Sequence, residues 1–281
     1  MLSNELETAK RLALEAGDAI LRHYGTDLVV EEKLGVDAEY EPVTVADREA
    51  SRMIVDELAR SFPDDAVLSE EEPDDLRRLG SPRTWMIDPI DGTAGFVKKD
   101  GDFSIQIGLT TNGRPTLGVV YQPFHNILHF AVSGFGAFAI EGGGAVARLG
   151  VSAVSQFADM TMAMTRNHPT ARIRRVIEHF GFTRIEKRGS VGLKTGLIAS
   201  GSCDIYIHPS PRTKLWDTCA PQVILEEAGG RLTDIFGDEI RYDGRGLQNL
   251  NGILASNAAS HDAAVEHLRP LLAEFGRVKA A

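Results

Sequence analysis

Two aspartates three residues apart close the stretch of the sequence with the most chemical promise. Trp85-Met86-Ile87-Asp88-Pro89-Ile90-Asp91-Gly92-Thr93 reads as an apolar strand that ends in two carboxylates and turns through Pro89 and Gly92. Carboxylates flanking a sharp turn can face one point in space, and holding like charges together is costly unless a cation sits between them. Oxygen ligands of this kind suit Mg²⁺ or Mn²⁺ better than zinc. An Asx turn cornered on Asp91-Gly92 explains the same residues without a metal. Two more acidic features bear on that choice. Leu68-Ser69-Glu70-Glu71-Glu72 follows a short apolar run, and Trp216-Asp217 opens a helix whose tail, Glu226 to Gly230, ends in a glycine cap. Each has a plain structural reading as well: the Glu run as a solvated face, Asp217 as an N-cap, and Asp47 as part of a capping box begun by Thr44.

The elements that must position these groups follow from periodicity. Residues 5–24 place Ala9, Leu12, Ala16, Ile20 and Tyr24 at helical spacing, stopped by Gly25, and 44–62 repeats the pattern through Ala46, Ala50, Met53, Ile54 and Leu58. From 103 to 109 apolar and small or polar residues alternate, Asn112-Gly113 marks a hairpin turn into 117–121, and 128–132 and 137–140 continue an antiparallel sheet. The Gly-rich patch at 141–144 and the polar stretch 152–159 place a boundary near residue 150. Beyond it, helical patterns at 171–180, 192–200 and 218–228 alternate with strand-like 203–207 and 231–236. The expected class is α/β, with an α+β half at 1–150 carrying most of the acidic residues and an α/β half at 151–281 carrying Asp217.

Composition narrows the function. The 281 residues are 43% hydrophobic and 25% charged, which suits a globular protein with a sizeable core. Lys plus Arg number 30 against 40 Asp plus Glu, a formal net charge of -10 that argues against coating nucleic acid or an anionic membrane. No apolar run reaches the roughly 18 residues of a membrane span, and residues 1–25 lack the apolar core of a signal peptide. Cys203 and Cys219 are too few for a disulfide framework, so the cytoplasm is the expected compartment.

The two aspartate motifs, 85–93 and 216–230, resemble the signatures of the inositol monophosphatase superfamily of magnesium-dependent, lithium-sensitive phosphomonoesterases. Val43-Thr44-Val45-Ala46-Asp47 and Leu68-Ser69-Glu70-Glu71 match its two other landmarks in the right order, so the resemblance covers nearly the whole chain. It implies a layered αβαβα sandwich. It also implies that Glu70, Asp88 and the carbonyl of Ile90 hold a first Mg²⁺, that Asp88, Asp91 and Asp217 hold a second, and that a third, weaker ion can join them. Thr93, paired with Asp47, would position the attacking water, and the N–H groups of Gly92 and Thr93 would carry the phosphate. Ser69 departs from the Gly that many relatives have there. The charges agree with this assignment: four carboxylates sum to -4 and would repel phosphate until two Mg²⁺ ions cancel them. A non-catalytic phospholigand-binding descendant would be expected to have lost one of these residues, and all are present.

Within the superfamily, inositol monophosphatases carry a Glu seven residues before the second-motif Asp, where this chain has Ser210. The segments Gly189 to Lys194, Cys203 to Ile207 and Pro209 to Pro221, together with Thr165-Arg166-Asn167-His168 and Lys98-Lys99-Asp100-Gly101, are more similar to the 3'(2'),5'-bisphosphate nucleotidases. A second phosphate needs a basic anchor away from the metals. Arg166, His168, Ser190, Lys194 and Lys214 are the candidate substrate contacts. The expected reaction is removal of the 3'-phosphate of 3'-phosphoadenosine 5'-phosphate to give AMP, with an inositol or other sugar monophosphatase as the rival. The partner is a small phosphate ester, and a homodimer is allowed but not specified.

Overall fold

The computed structural model describes residues 2–26, 29–166 and 170–280. Helix α1 (Ser3–Tyr24) buries Ala9, Leu12, Ala13, Ala16 and Ile20, and α2 (Val45–Ser61) buries Ala46, Ala50, Ile54 and Leu58, as their spacing predicts. Between them β1 (Val30–Leu34) and β2 (Tyr40–Thr44) form an antiparallel hairpin that periodicity did not reveal. Its residues are largely exposed and polar, so the alternation that announces a half-buried strand is missing.

Seven strands follow one another across the first sheet: β3 (Ala66–Ser69), β4 (Arg83–Asp91), β5 (Ser104–Thr111), β6 (Arg114–Gln122), β7 (Ile127–Val132), β8 (Gly136–Glu141) and β9 (Ala147–Arg148). Only β3 and β4 pair in parallel. The predicted hairpin turn is present, with Asn112 at φ 52° and Gly113 at φ 71°, both left-handed as a tight hairpin requires. A short α3 (Thr93–Lys98) links β4 to β5.

The remaining chain adds β10 (Thr161–Thr165), α4 (Ala171–Phe180), β11 (Arg184–Arg188), α5 (Val191–Ala199), β12 (Ile205–His208), α6 (Leu215–Glu227), β13 (Gly230–Thr233), β14 (Ile253–Asn257) and α7 (His261–Glu274). Its sheet has the order β11-β10-β12-β14-β13, parallel around β10 and antiparallel around β14. Helices α1 and α2 cover the outer face of the first sheet, α5 and α6 lie between the sheets, and α4 and α7 cover the outer face of the second. This is the αβαβα sandwich.

The sheets divide on either side of residue 150, but the core does not: Val120, Ala131 and Ala137 of the first sheet pack in one cluster with Ala163, Tyr206, Val223 and Ile224. Helix α6 lies directly on the first sheet at the cross-strand pair Gly108 and Gly118. A Cβ on Gly118 would come within 2.3 Å of the Ala220 carbonyl oxygen, and one on Gly108 within 2.6 Å of Cys219 Sγ. The two glycines therefore set the depth at which α6 presents Asp217, and Cys219 serves as a small packing residue at that contact.

Candidate active site

A bulge at the end of β4 gives the first two acids a common direction. In a regular strand residues three apart point to opposite faces. Here Asp88 pairs with Gln106 and Asp91 with Ser104, so three steps along β4 match two along β5, and the extra residue restores both aspartates to one face. The strand thus continues through Asp91 rather than turning there, with Gly92 at φ 98° redirecting the chain into α3.

Glu70 follows directly on β3, and Asp217 lies in the first turn of α6. Each of Glu70, Asp88 and Asp217 offers a carboxylate oxygen within 4.8 Å of the other two. Burial pushes Asp88 well above the ordinary carboxylate range, and Glu70, Asp91 and Asp217 push it further. Burial, then Asp91 and Glu70, does the same to Asp217. Asp88 Oδ1 is buried and has no hydrogen-bond partner. A buried acceptor without a donor is rare, and three crowded carboxylates around it form a hard-oxygen donor set that suits a divalent cation. The residues therefore fit the metal that the resemblance implies.

The other assigned residues fall around this cluster in different ways. Asp91 Oδ2 accepts from Gln106 Nε2, from the Ser190 hydroxyl at 2.5 Å and from the Gly192 N–H at 3.1 Å, and Asp91 is not one of the three acids that converge. The Thr93 hydroxyl lies 3.2 Å from Asp47 Oδ1 and 3.1 Å from the Ile90 carbonyl, so the expected Thr–Asp pair is formed. Asp47 and Asp217 are also caps. Asp47 Oδ2 accepts from the N–H and hydroxyl of Thr44, and Asp217 Oδ2 accepts from the Lys214 N–H. In each case capping uses one oxygen and leaves the other for the site, so the structural and functional readings of these residues hold together. Helix α6 begins three residues earlier than its pattern predicted, because Leu215 and Trp216 are buried in its first turn, which places Asp217 as third residue rather than N-cap. Ser69, the departure from Gly, is buried and shares a 2.9 Å hydrogen bond with Ser51 on α2.

Two of the proposed substrate contacts do not reach a cavity. Ser190 is fully buried and caps α5, its hydroxyl committed to Asp91, Ser104 and Leu193 N. Lys194 is 2% exposed, with its ammonium 3.1 Å from the Gly189 carbonyl and over the Tyr206 ring at 4.9 Å. Burial lowers it to about 8, opposed by Asp91, Asp102 and Asp217. It is an internal counter-charge, not an anchor for ligand. Lys194→Met is therefore expected to reduce turnover of a mono- and a bisphosphate in parallel, because it withdraws the positive charge that opposes the crowding of Asp91 and Asp217. A selective loss on the bisphosphate alone would restore the anchor.

Lys214 lines the acidic cavity with Glu41, Glu70, Asp88, Ile90, Asp91, Gly92, Thr93 and Asp217, but its ammonium is held by Glu41 and, at 3.7 Å, Asp37. This cavity is about 230 Å³. Beside it, sharing Gly92 and Ala94, a cavity of about 440 Å³ is bounded by Lys98, Asp100, Thr165, Arg166 and Gly189. His168 lies outside the described residues. Lys33, on the unforeseen hairpin, pairs with Glu70 at 2.9 Å and with Glu71. Burial alone would lower its pKa, but the two glutamates hold it above the ordinary lysine value. Gln106, which hydrogen-bonds Asp91, was likewise missed. Lys33 and Glu70 are 37 residues apart in the chain, and no local pattern joins them.

A two-sheet sandwich with a buried acidic cluster where β3, β4 and α6 meet, and a Thr–Asp pair beside it, defines a phosphoric monoester hydrolase of the layered αβαβα type. The chain belongs to the inositol monophosphatase family, whose model matches residues 1–273. It is 34% identical over 248 residues to the 3'(2'),5'-bisphosphate nucleotidase CysQ of Shigella flexneri, covering 85% of this chain and 94% of that one. It is 32% identical over 279 residues to the fructose-1,6-bisphosphatase/inositol-1-monophosphatase of Thermotoga maritima, covering 97% and 99%. The crystal structure of CysQ from Bacteroides thetaiotaomicron superposes with a TM-score of 0.76 at 30% identity, covering 91% of this chain and 97% of the other. The family is generally metal-dependent, and among the described residues no helix is long and apolar enough to cross a membrane.

Proposed function

We propose that this enzyme hydrolyses the 3'-phosphate of 3'-phosphoadenosine 5'-phosphate, giving AMP and phosphate, with Mg²⁺ as its metal. The observation that carries the reading is the pair of neighbouring cavities: the acidic one adjoins, along Gly92 and Ala94, a larger one flanked by Lys98 and Arg166. A monophosphate fills only the first part. A nucleotide with a second phosphate has a group for the second, and the name of the Shigella flexneri relative points the same way. Ser210 is consistent with this, since its hydroxyl is shared with His208 at 2.8 Å and offers no carboxylate to a polyol.

Glu70, Asp88 and Asp217, with Asp91 through its remaining oxygen and Ile90 through its carbonyl, would hold two or three ions. When bound, such ions supply Lewis-acid stabilisation of the attacking and leaving oxygens of an in-line displacement. The chain's own residues do the rest. The N–H groups of Thr93 and Ala94, at the start of α3, have no acceptor among the described residues and can hold phosphoryl oxygens. Thr93 Oγ1, donating to Asp47, keeps its lone pairs for the proton of an attacking water, and that proton load passes to Asp47 Oδ1. Burial raises the pKa of Asp47, which makes it a better acceptor than an exposed aspartate. Water oxygen joins phosphorus as the ester bond breaks, the leaving 3'-oxygen takes a proton from solvent, and Asp47 returns the proton it received to solvent. The test is a panel of phosphate esters assayed with Mg²⁺. Highest kcat/KM on 3'-phosphoadenosine 5'-phosphate supports the reading, and preference for inositol 1-phosphate or fructose 1,6-bisphosphate overturns it.

A further inference from the structure

Asp102, between α3 and β5, is 2% exposed and belongs to neither cavity, yet it links both. Its carboxylate accepts the Gly189 N–H and lies 2.9 Å from Arg166 Nε, with Arg188 Nε at 3.9 Å. Asp100 Oδ2 lies 3.5 Å from Arg166 Nη1, and the Arg166 side chain remains 44% exposed toward the larger cavity. The backbone of Asp102 is as firmly held. A Cβ on Gly92, Gly95 or Gly189 would meet its carbonyl oxygen at 3.0, 2.8 and 2.8 Å, so the residue is wedged between the phosphate loop and the segment entering α5.

We propose that Asp102 is a positioning residue for substrate selection: it aims Arg166 at the second phosphate of a bisphosphorylated ligand bound beside the phosphate loop. A free arginine loses much rotamer freedom when it grips an anion. Arg166 instead has Asp102 beside its Nε at 2.9 Å and Asp100 beside its Nη1 at 3.5 Å, and its Nη2 makes no hydrogen bond to protein among the described residues. The charged side chains that line the larger cavity are Lys98, Arg166 and Asp100, which leave one net positive charge facing it. The inference rests on the bisphosphate reading given above.

The test compares 3'-phosphoadenosine 5'-phosphate with adenosine 3'-monophosphate, which has the same reacting ester and lacks the second phosphate. Asp102→Asn should raise KM for the bisphosphate about tenfold, the scale of one charge-assisted hydrogen bond, with kcat and the KM for the monophosphate within about twofold of wild type. Arg166→Ala should raise KM for the bisphosphate at least as much, and the double variant should be no worse than Arg166→Ala, because Asp102 acts through Arg166. Asp100→Asn, at a partly exposed carboxylate, should give a smaller rise of the same kind, and it carries the test if Asp102→Asn does not fold. Equal losses on both substrates, a lowered KM for the bisphosphate, or additive effects in the double variant overturn the role of Asp102. Wild-type enzyme with no preference for the bisphosphate overturns the substrate reading and this inference with it. A wild-type preference that is undiminished in Asp102→Asn overturns this inference alone.

Discussion

Asp88→Asn should lower kcat on a phosphate monoester by on the order of a thousandfold or more, while Glu72→Gln should leave it within about twofold. Several kcal/mol of transition-state stabilisation depend on the ions that Asp88 would share, and each ~1.4 kcal/mol is tenfold in rate. The variant should nevertheless fold, and its melting temperature in chelator should match or exceed that of wild type. Asn keeps the size of Asp and removes one anion from a cluster in which burial and three neighbouring acids already disfavour charge. Activity and stability are thus expected to move in opposite directions, as they do where a site holds charges for function. Glu72 is the contrast because it is exposed and its side chain makes no hydrogen bond among the described residues. Equal effects of the two substitutions, measured by steady-state turnover, would show that the wrong acid has been assigned.

Removing divalent metal should abolish turnover, and Mg²⁺ should restore it. Glu70, Asp88, Asp91 and Asp217 together carry four negative charges, which two Mg²⁺ ions cancel and a third converts to a net positive site. The same cancellation should appear without substrate. At an ion concentration a hundredfold above Kd, binding contributes about 2.7 kcal/mol to folding, a rise of roughly 4–5 °C in melting temperature for a chain of this size. A calorimetric scan in chelator and in Mg²⁺ therefore reads the metal site independently of catalysis. Full turnover in chelator would end the metal mechanism. An unchanged melting temperature across a Mg²⁺ titration would show that the acidic cluster does not hold the ion.

The difference between what the chain announces and what it conceals is clearest in the lysines. Lys194 has the same side chain whether it faces solvent or lies between two sheets, and only the packing of α5 in the middle layer turns it into a buried counter-charge to Asp91. Lys33 sits on a hairpin with no apolar alternation and finds Glu70 through tertiary structure alone. Arg166 reads as basic wherever it stands, but no local pattern shows that its guanidinium comes to lie 2.9 Å from Asp102.

Helices α1 and α2, the central antiparallel strands with their Asn112-Gly113 turn, the membership of the inositol monophosphatase family and the acids around which the site is built are all legible in the amino-acid order. Those features are written locally, in apolar periodicity, turn chemistry and short motifs whose spacing survives in one dimension. Tertiary structure alone decided that a bulge sets Asp88 and Asp91 on one face, that Gly108 and Gly118 admit α6 to the depth at which Asp217 meets Glu70, and which basic groups face the groove. The reason is physical. A charged side chain acts through distance and burial, and both are set by which surfaces the sheets and helices press together, not by the order of residues along the chain.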